Sequence, residues 1–406
     1  MAEKIFRGIR SGDVESVMKK KTVVYILTII LSAVYLFVAS KAAIGDGRVF
    51  GQTEDTPSVR AKVLRITDKE DVSYDSDGES TTSMKMIYFE AVALSGRDRG
   101  KTLYAVQEID LMFALSQPDV EEGDKVMLAY SPTQDGRADY YLSDYSRTGP
   151  LLALCCVFFV LLLIFGRKKG LDTIISLAFT CLAVFVTLIP AILNGKNIYF
   201  WSIITCIFIT VMTLLLVNGA NIKSLSAGIG CVCGVLVSGL IVLMIRGSIK
   251  LTGLLEEEWV YLHTLNPDKP IDLKAVIFAM IIVGAVGAVM DVAMSIASSL
   301  YEIHEKSPAL SSRELLKSGL TIGRDIMGTM ANTLVLAYIG SSLTCVLLLV
   351  SYSANVTQIV NRELVTVEIL QALAGSLGIL SALPLTAAVS TFLLKHFAKR
   401  KEPDGR

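Results

Sequence analysis

The stretch GAVGAVMDVAMSIASSLYEI, Gly284 to Ile303, decides the fold class, because a long and mostly apolar run carries one aspartate, Asp291, near its middle. About 20 predominantly apolar residues are enough to cross the hydrocarbon core of a bilayer as a helix. A charged side chain at the centre of such a helix costs about 2.5–3.5 kcal/mol on insertion scales. The stretch therefore predicts a membrane helix in which Asp291 needs polar partners or a bound ion.

Apolar runs of similar length recur along the chain of 406 residues and predict eight membrane-spanning helices. The predicted spans are 22–39, 151–166, 171–191, 199–217, 226–245, 275–300, 329–350 and 369–394. Pro384 lies inside the last span and is expected to kink it. The expected surroundings are bilayer lipid, and the formal net charge of zero gives no indication of a nucleic-acid partner.

Clusters of lysine and arginine predict the orientation of these spans. The clusters lie at 19–21, 167–169, 313–324 and 395–401. With eight spans all four clusters lie on one side, which the positive-inside rule makes cytoplasmic. Both termini are therefore predicted to be cytoplasmic. The first span lacks an A-x-A-like cleavage site and is interpreted as an anchor.

A polar segment separates the first two spans and is predicted to lie outside the cytoplasm. It contains five runs in which apolar and polar residues alternate: VRAKVLRI, MKMIYFEAVAL, KTLYAV, KVMLAY and DYYLSD. Such alternation is typical of short antiparallel strands, and five of them predict a small Greek-key or barrel-like domain, OB-like in type. The acidic tract DKEDVSYDSDGES, residues 68–80, lacks the spacing of an EF-hand and is interpreted as a mobile loop.

The predicted fold class is an all-α polytopic membrane protein of about eight transmembrane helices with a small β-rich extracytoplasmic domain between helices one and two. The parts are a cytoplasmic N-terminus and first helix (1–40), the β-rich domain (41–148), a seven-helix transmembrane domain (149–395) and a cytoplasmic tail (396–406). Spans three to five and six to eight form two sets of opposite orientation, so a 3+3 inverted repeat is a further hypothesis.

The candidate site is a pair of polar stripes on spans six and seven. The first stripe is Asp291, Ser295, Ser298 and Glu302, and the second is Asp325, Thr329 and Asn332. Because their members are three or four residues apart, each stripe lies on one helix face. We expect the two helices to be antiparallel neighbours whose stripes face each other. Asp291 would then find hydrogen-bond partners on span seven, or bind a cation or a proton.

Blander interpretations exist for the same residues. The hydroxyls and Asn332 can stabilise helix packing through hydrogen bonds between helices. Asp291 can be a protonated, hydrogen-bonded structural residue. Asp325 follows Arg324 and can form an interfacial ion pair or begin a helix. For an acidic residue at membrane depth the functional interpretation is favoured, because such residues commonly line ion or proton paths.

Two segments that carry these stripes, MDVAMSIASSLYEI and GRDIMGTMANTLVLAYIG, resemble the YibE/F family of bacterial multi-spanning membrane proteins. The similarity extends from about the second span onward. The resemblance implies an integral protein of the bacterial cell membrane with an extracytoplasmic N-terminal domain. It implies no particular activity, so the functional hypotheses rest on the residues.

The leading hypothesis is a secondary transporter or channel for a small ion or solute, with its site centred on Asp291. The chain contains no G-x-x-x-x-G-K-[ST] motif, so a gradient or a partner protein would drive transport. The rival hypothesis is a non-transporting scaffold or sensor whose extracytoplasmic domain binds a partner. A homo-oligomer or a partner membrane protein is compatible with both hypotheses. Flux of an ion or solute distinguishes the two, because a scaffold or sensor shows none.

No enzymatic activity, catalytic residue or cofactor is predicted. An intramembrane aspartyl protease, the remote alternative, would use Asp291 and Asp325, but the sequence reads GRD where such enzymes have G-x-G-D. The three histidines lie at or beyond the ends of spans, and the identity of any bound metal is left open. The seven cysteines all lie in predicted spans, where free thiols are expected rather than disulfides.

Overall fold

The computed structural model describes residues 11–45, 58–76, 80–110, 118–131, 137–255, 257–264, 269–352 and 355–399. The chain divides into two compact units. One unit is Phe50–Leu161, and the other joins Met1–Val49 to Leu162–Arg406. The first unit contains the β-strands, and the second contains most of the helices.

The β-rich unit contains a closed five-stranded barrel. Its strands are β1 (Ser58–Ser76), β2 (Ser80–Ala93), β3 (Thr102–Asp110), β4 (Lys125–Tyr130) and β5 (Tyr140–Tyr145). Their order around the barrel is β1-β2-β3-β5-β4, and β4 closes it by pairing with β1. The β3–β5 pair is parallel and the others are antiparallel. The predicted barrel-like domain is confirmed, and its OB-like type stays a prediction.

Alternation along the strands fills the barrel with apolar side chains. Phe89, Ile87, Val126 and Leu128 are almost completely buried. Gln107 is the buried polar side chain among them. Its amide Nε2 donates to the carbonyl of Pro118 at 2.9 Å, and its Oε1 accepts from Val120 N at 2.8 Å. Gln107 therefore attaches the segment before β4 to the barrel.

The acidic tract 68–80 was expected to form a mobile loop, and this expectation is wrong for the part that the structure describes. Strand β1 continues to Ser76 and pairs with β2 as far as Ser76 opposite Ser80. Residues 77–79 lie outside the described residues. The reason is the partner strand: the backbone of β2 lies opposite each residue from Asp68 to Ser76, so the hairpin extends beyond the barrel despite the acidic residues.

The helices that the structure describes number twelve, with one π-helical segment between α3 and α4. They are α1 (Ser11–Ile44), α2 (Thr148–Gly166), α3 (Lys168–Leu182), α4 (Ile189–Leu193), α5 (Ile198–Asn218), α6 (Ile222–Ser248), α7 (Glu257–Thr264), α8 (Leu273–Lys306), α9 (Ser312–Ser341), α10 (Leu343–Tyr352), α11 (Val356–Val360) and α12 (Glu363–Lys399). They supply seven spans that are long and apolar enough to cross a membrane, one of which, Lys168–Leu193, joins α3, the π-helical segment and α4. The number reaches eight if α9 and α10 form one bent span.

Helices α6, α8 and α12 form the centre of the helical unit, since each packs against the other two. Helix α9 packs on α8 and α12, and α5 packs on α6 and α8. Further out, α3 packs on α5, and α1 packs on the π-helical segment and on α5. The central cluster includes Ile281, Val289, Ile296 and Ile379, all fully buried.

The two predicted sets of three spans pack differently. Helix α8 begins the second set and lies at the centre of the unit, whereas α3 begins the first set and packs mainly on α5. The last helices of the sets, α6 and α12, form an extensive contact with each other. The inverted repeat stays a hypothesis.

The seventh span was expected as one helix over 329–350, and the structure corrects its bounds. Helix α9 already begins at Ser312, behind a capping box formed by Ser311 and Glu314. It ends at Ser341, and α10 continues at an angle of 60°. Ser341 and Ser342 both donate their hydroxyls to the carbonyl of Tyr338, each at 2.9 Å, which favours a break because these bonds compete with the helical pattern.

Candidate functional site

The first polar stripe lies on the most buried of the candidate spans, α8. Between Ala275 and Tyr301, all of which the structure describes, the exposed residues are Met280, Gly284, Gly287 and Asp291. Ser295 and Ser298 continue this line as half-buried residues, and Glu302 ends it. We call the line from Gly284 to Glu302 the α8 seam. Every other face of this part of α8 is covered, since the helix packs on α5, α6, α9 and α12.

Asp291 lies near the middle of α8, which has 34 residues and an approximate length of 51 Å. Its side chain is exposed, with protein on part of its surroundings. Cys231 of α6 is one of its neighbours. Among the residues that the structure describes, none donates a hydrogen bond to Asp291.

The second polar stripe lies on the exposed face of α9. Asp325, Thr329 and Asn332 are all exposed, whereas Leu315, Gly319 and Gly323 of the same helix are buried toward the bundle. Thr329 donates its hydroxyl to the carbonyl of Ile326 at 2.8 Å rather than to Asp291. The structure therefore places both stripes at the surface of the helical unit, without the expected hydrogen bonds between them in the described part of the chain.

Close approaches along α8 and α9 establish that the helices are antiparallel neighbours, as expected. A Cβ added to Gly319 would lie 2.8 Å from Leu300, and one added to Gly284 would lie 2.5 Å from the Tyr338 hydroxyl. Interpolation between these two points places Asp291 level with Thr329 and Asp325 level with Ser295. The two aspartates thus differ in level by about 6 Å along the axis. An aspartyl protease needs two carboxylates that share one proton, and this offset weighs against that chemistry.

The α8 seam is open beside Asp291 and has one aromatic side chain close to its N-terminal end. A Cβ added to Gly287 would meet no atom within 4 Å, and the same holds for Gly328 on α9. At Gly284 the Tyr338 side chain lies directly over the seam. The seam is therefore an exposed strip of α8 that the Tyr338 side chain approaches at its N-terminal end.

Three polar residues next to the N-terminal end of the seam were not predicted from the sequence. Tyr338 belongs to α9, and Glu368 and Gln371 belong to α12. Oε2 of Glu368 and the hydroxyl of Tyr338 are buried and make no hydrogen bond of normal geometry in the described structure. The predicted eighth span began at residue 369, so Glu368 was left outside it. The available signal was the spacing of Glu368 and Gln371, which places both on one helix face.

Within the described residues, no three side chains from His, Cys, Asp and Glu converge as a metal site would require. The seven cysteines are free, and Cys206 and Cys231 are buried. The chemistry that the site offers is that of oxygen ligands, namely carboxylates, hydroxyls and amide carbonyls, which suit protons and hard cations.

A comparison with protein-family models matches residues 154–396, more than half of the chain, to the family described as YibE/F-like protein. No curated protein and no solved structure matches the chain. The matched region contains α8, α9 and α12, and with them every residue of the α8 seam and of the polar face of α9.

Proposed function

The chain belongs to the YibE/F-like protein family, and on that footing we propose that it is a secondary transporter or channel that moves a small ion or solute along the α8 seam. The seven or eight apolar helices cross the cell membrane of a bacterium in this proposal. Both termini are cytoplasmic, because the basic clusters between spans then lie on one side. The barrel lies outside.

One observation carries this proposal: the exposed line of the most buried span is also its polar line. Asp291 lies halfway along α8 on that line, where a bare carboxylate facing lipid would be costly. Its neighbours on the line are glycine and serine, which leave room for water or an ion. The α8 seam is polar and exposed, which suits the passage of an ion or solute. A purely structural aspartate is expected to be hydrogen-bonded by its neighbours.

The bent pair α9–α10 is a second observation that supports the transport hypothesis. Broken helices near a polar site are a recurring feature of secondary transporters, because they allow the site to be exposed to alternate sides. In the proposed mechanism, an ion at Asp291 changes the preferred packing of α9 against α8. Only a difference in affinity between the two packings can drive that change.

The first test is flux into liposomes that contain the purified protein. Asp291→Asn keeps the shape of the side chain and removes its charge, so we expect a folded protein whose flux of protons or alkali cations is lost. Asn332→Ala, level with the same region, should reduce flux in part. Glu305→Gln is the matched control, because it removes an exposed carboxylate from the end of the same helix. Wild-type flux that Asp291→Asn leaves unchanged would overturn the assigned role of Asp291.

A second candidate function is supported by the exposed polar face of α9. Asp325, Thr329 and Asn332 point away from the helical core, and such residues in a bilayer favour a protein partner. A scaffold or sensor would cover this face with a partner membrane protein or a second copy. It would show no flux of any ion, and Asp291→Asn would leave its assembly intact.

A further inference from the structure

Beside the N-terminal end of the α8 seam, two helices bring together oxygen-bearing side chains that the proposed path through Asp291 does not use. Glu368 and Gln371 extend from α12, and Tyr338 extends from α9. Both acceptor-capable atoms named above, Oε2 of Glu368 and the Tyr338 hydroxyl, are buried without a hydrogen bond of normal geometry. Buried polar atoms are normally paired, and the Tyr338 hydroxyl has the Gln371 amide beside it, so the Glu368 oxygen is the atom that points to a missing ligand.

The geometry around Gly284 shows how closely these groups converge. A Cβ added to Gly284 would lie 2.5 Å from the Tyr338 hydroxyl and 3.6 Å from Nε2 of Gln371. Gln371 and Glu368 are both near enough to the Tyr338 hydroxyl to interact with it. Gly284 thus provides the space in which Tyr338 and Gln371 meet. Glu368 lies one helical turn closer to the N-terminus of α12.

The break between α9 and α10 lies beside the same groups. A Cβ on Gly375 would lie 2.9 Å from Leu334, which fixes the antiparallel alignment of α12 and α9. Extending this alignment by two turns places Glu368 level with Ser341, the last residue of α9. The C-terminal end of a helix carries partial negative charge and favours a cation. In membrane transporters, ends of broken helices commonly help to hold the coupling ion.

From this arrangement we propose that Glu368, Gln371 and Tyr338 form a binding site for a monovalent metal cation, about 10 Å along α8 from Asp291. The ligands would be the Glu368 carboxylate, the Tyr338 hydroxyl and the amide oxygen of Gln371, all hard oxygen donors. For this the Gln371 amide rotates by about 180°, so that its oxygen replaces Nε2 toward the site. One carboxylate balances one positive charge. A divalent cation would leave a net charge buried between helices, which is costly. The binding site itself does not depend on transport. Its role as a cation-binding position on the transport path rests on the proposed function.

The test measures thermal stability of the purified full-length protein in detergent. A fluorescent thiol reagent can report unfolding, because Cys206 and Cys231 are buried. Sodium, potassium and lithium chloride are titrated in turn against N-methylglucamine chloride at constant ionic strength. Asp291→Asn serves as the background, so that binding at Asp291 does not contribute. We expect a saturable rise of Tm with at least one alkali cation, since a ligand of the folded state stabilises it by mass action.

Variants of the site define the expected pattern. In the same background, Glu368→Gln should abolish the saturable rise, and Tyr338→Phe should shift the titration to higher concentration. Gly284→Ala should do so as well, because the new methyl group displaces the Tyr338 hydroxyl. Gly328→Ala is its control, on the exposed face of α9 and outside the seam, where a Cβ likewise meets no atom within 4 Å. It should titrate like the background.

Three outcomes would overturn the cation site. The first is the absence of a saturable rise of Tm with any alkali cation. The second is an equal rise of Tm with N-methylglucamine, and the third is a rise that Glu368→Gln retains. A stabilisation that depends on pH alone would indicate a proton site and would also overturn it. The proposed function fails separately: if wild-type liposomes show no flux while the Glu368-dependent rise persists, the binding site stands and the transport hypothesis does not.

Discussion

Single residues in the barrel show how charge pairs shape the surface of the β-rich unit. The Asp119 carboxylate accepts from the Lys85 ammonium at 2.6 Å and from that of Lys69 at 3.3 Å. Lys85 first, and Lys69 to a lesser extent, hold the pKa of Asp119 below its ordinary value, while burial opposes them. The pairs join β1 and β2 to the segment before β4. They are partly exposed, so each is worth about 0.2–1 kcal/mol.

This pairing predicts a pH dependence of barrel stability. A carboxylate whose pKa is lowered by folding stabilises the folded state above its unfolded pKa of about 3.9, and the contribution is lost as pH falls through the lower, folded pKa. We therefore expect Asp119→Asn to flatten the acid-side fall in the free energy of unfolding by about 1 kcal/mol or less. Urea unfolding of residues 49–146 at pH 7 and at pH 3, followed by β-type circular dichroism, measures this.

Lys85→Met supplies the control for the same experiment. Because it removes the main partner of Asp119, Asp119→Asn should have a smaller effect in that background than in the wild type. Equal effects in both backgrounds would show that the pair is not the source of the pH dependence. A helical or unfolded spectrum for residues 49–146 would contradict the expectation that the barrel folds by itself.

At the scale of elements, glycines decide where the helices approach each other. On α9, Gly323 faces α12, and a Cβ there would overlap the Leu383 side chain. Gly328, little more than one turn further on, faces away and would meet no atom within 4 Å. The two positions have the same residue type in one helix but opposite surroundings.

These two glycines give a matched test of the α9–α12 contact. We expect Gly323→Ala to lower stability by about 1–3 kcal/mol, because overpacking a close interface forces the helices apart. Gly328→Ala should be neutral or stabilising by up to about 1 kcal/mol, because alanine has the higher helix propensity. Thermal unfolding in detergent compares them. If both variants behave alike, the α9–α12 packing differs from the one described here.

The start of α12 illustrates a second kind of contact between elements. Oε1 of Glu363 accepts from the backbone N–H groups of Thr252 and Gly253, each at 2.7 Å, and Oε2 accepts from the Thr252 hydroxyl at 2.7 Å. The carboxylate thereby fastens the loop after α6 to the beginning of α12. It holds in place the helix end that carries Glu368, five residues further along.

At the scale of the whole molecule, the topology depends on whether α9 and α10 together cross the membrane. With the bent pair as one span there are eight candidate crossings in the described part of the chain, and without it there are seven. We expect eight, so a reporter fused after Arg406 should be cytoplasmic. A cysteine placed at Glu121 in the barrel unit should react with an impermeant thiol reagent in intact cells, and one placed at Lys168 should not.

The two labelling sites and the reporter separate the possible errors. An extracellular reporter with correct labelling at Glu121 and Lys168 would mean that α9 and α10 re-enter the membrane from one side, which gives seven crossings. Labelling at Lys168 without labelling at Glu121 would reverse the orientation of the entire chain. The parent protein, with its seven native cysteines, provides the background signal.

The amino-acid sequence by itself determined the class of this protein and most of its elements. Runs of about 20 apolar residues located the long helices, and two-residue alternation located the five strands, because both patterns are local consequences of backbone geometry. The same local logic found the α8 seam, since Asp291, Ser295, Ser298 and Glu302 share a face by spacing alone. It also brought the family resemblance, which the match over residues 154–396 confirms.

The tertiary structure decided what no single segment encodes. The exposure of Asp291, the outward direction of Asp325, Thr329 and Asn332, and the break after Ser341 all depend on which helices lie side by side. The pairing of the acidic tract with β2 and the meeting of Tyr338 and Gln371 over Gly284 join residues distant in the chain. Periodicity tells which residues share a face of one helix, but packing between helices decides whether that face meets protein, an ion or the surroundings.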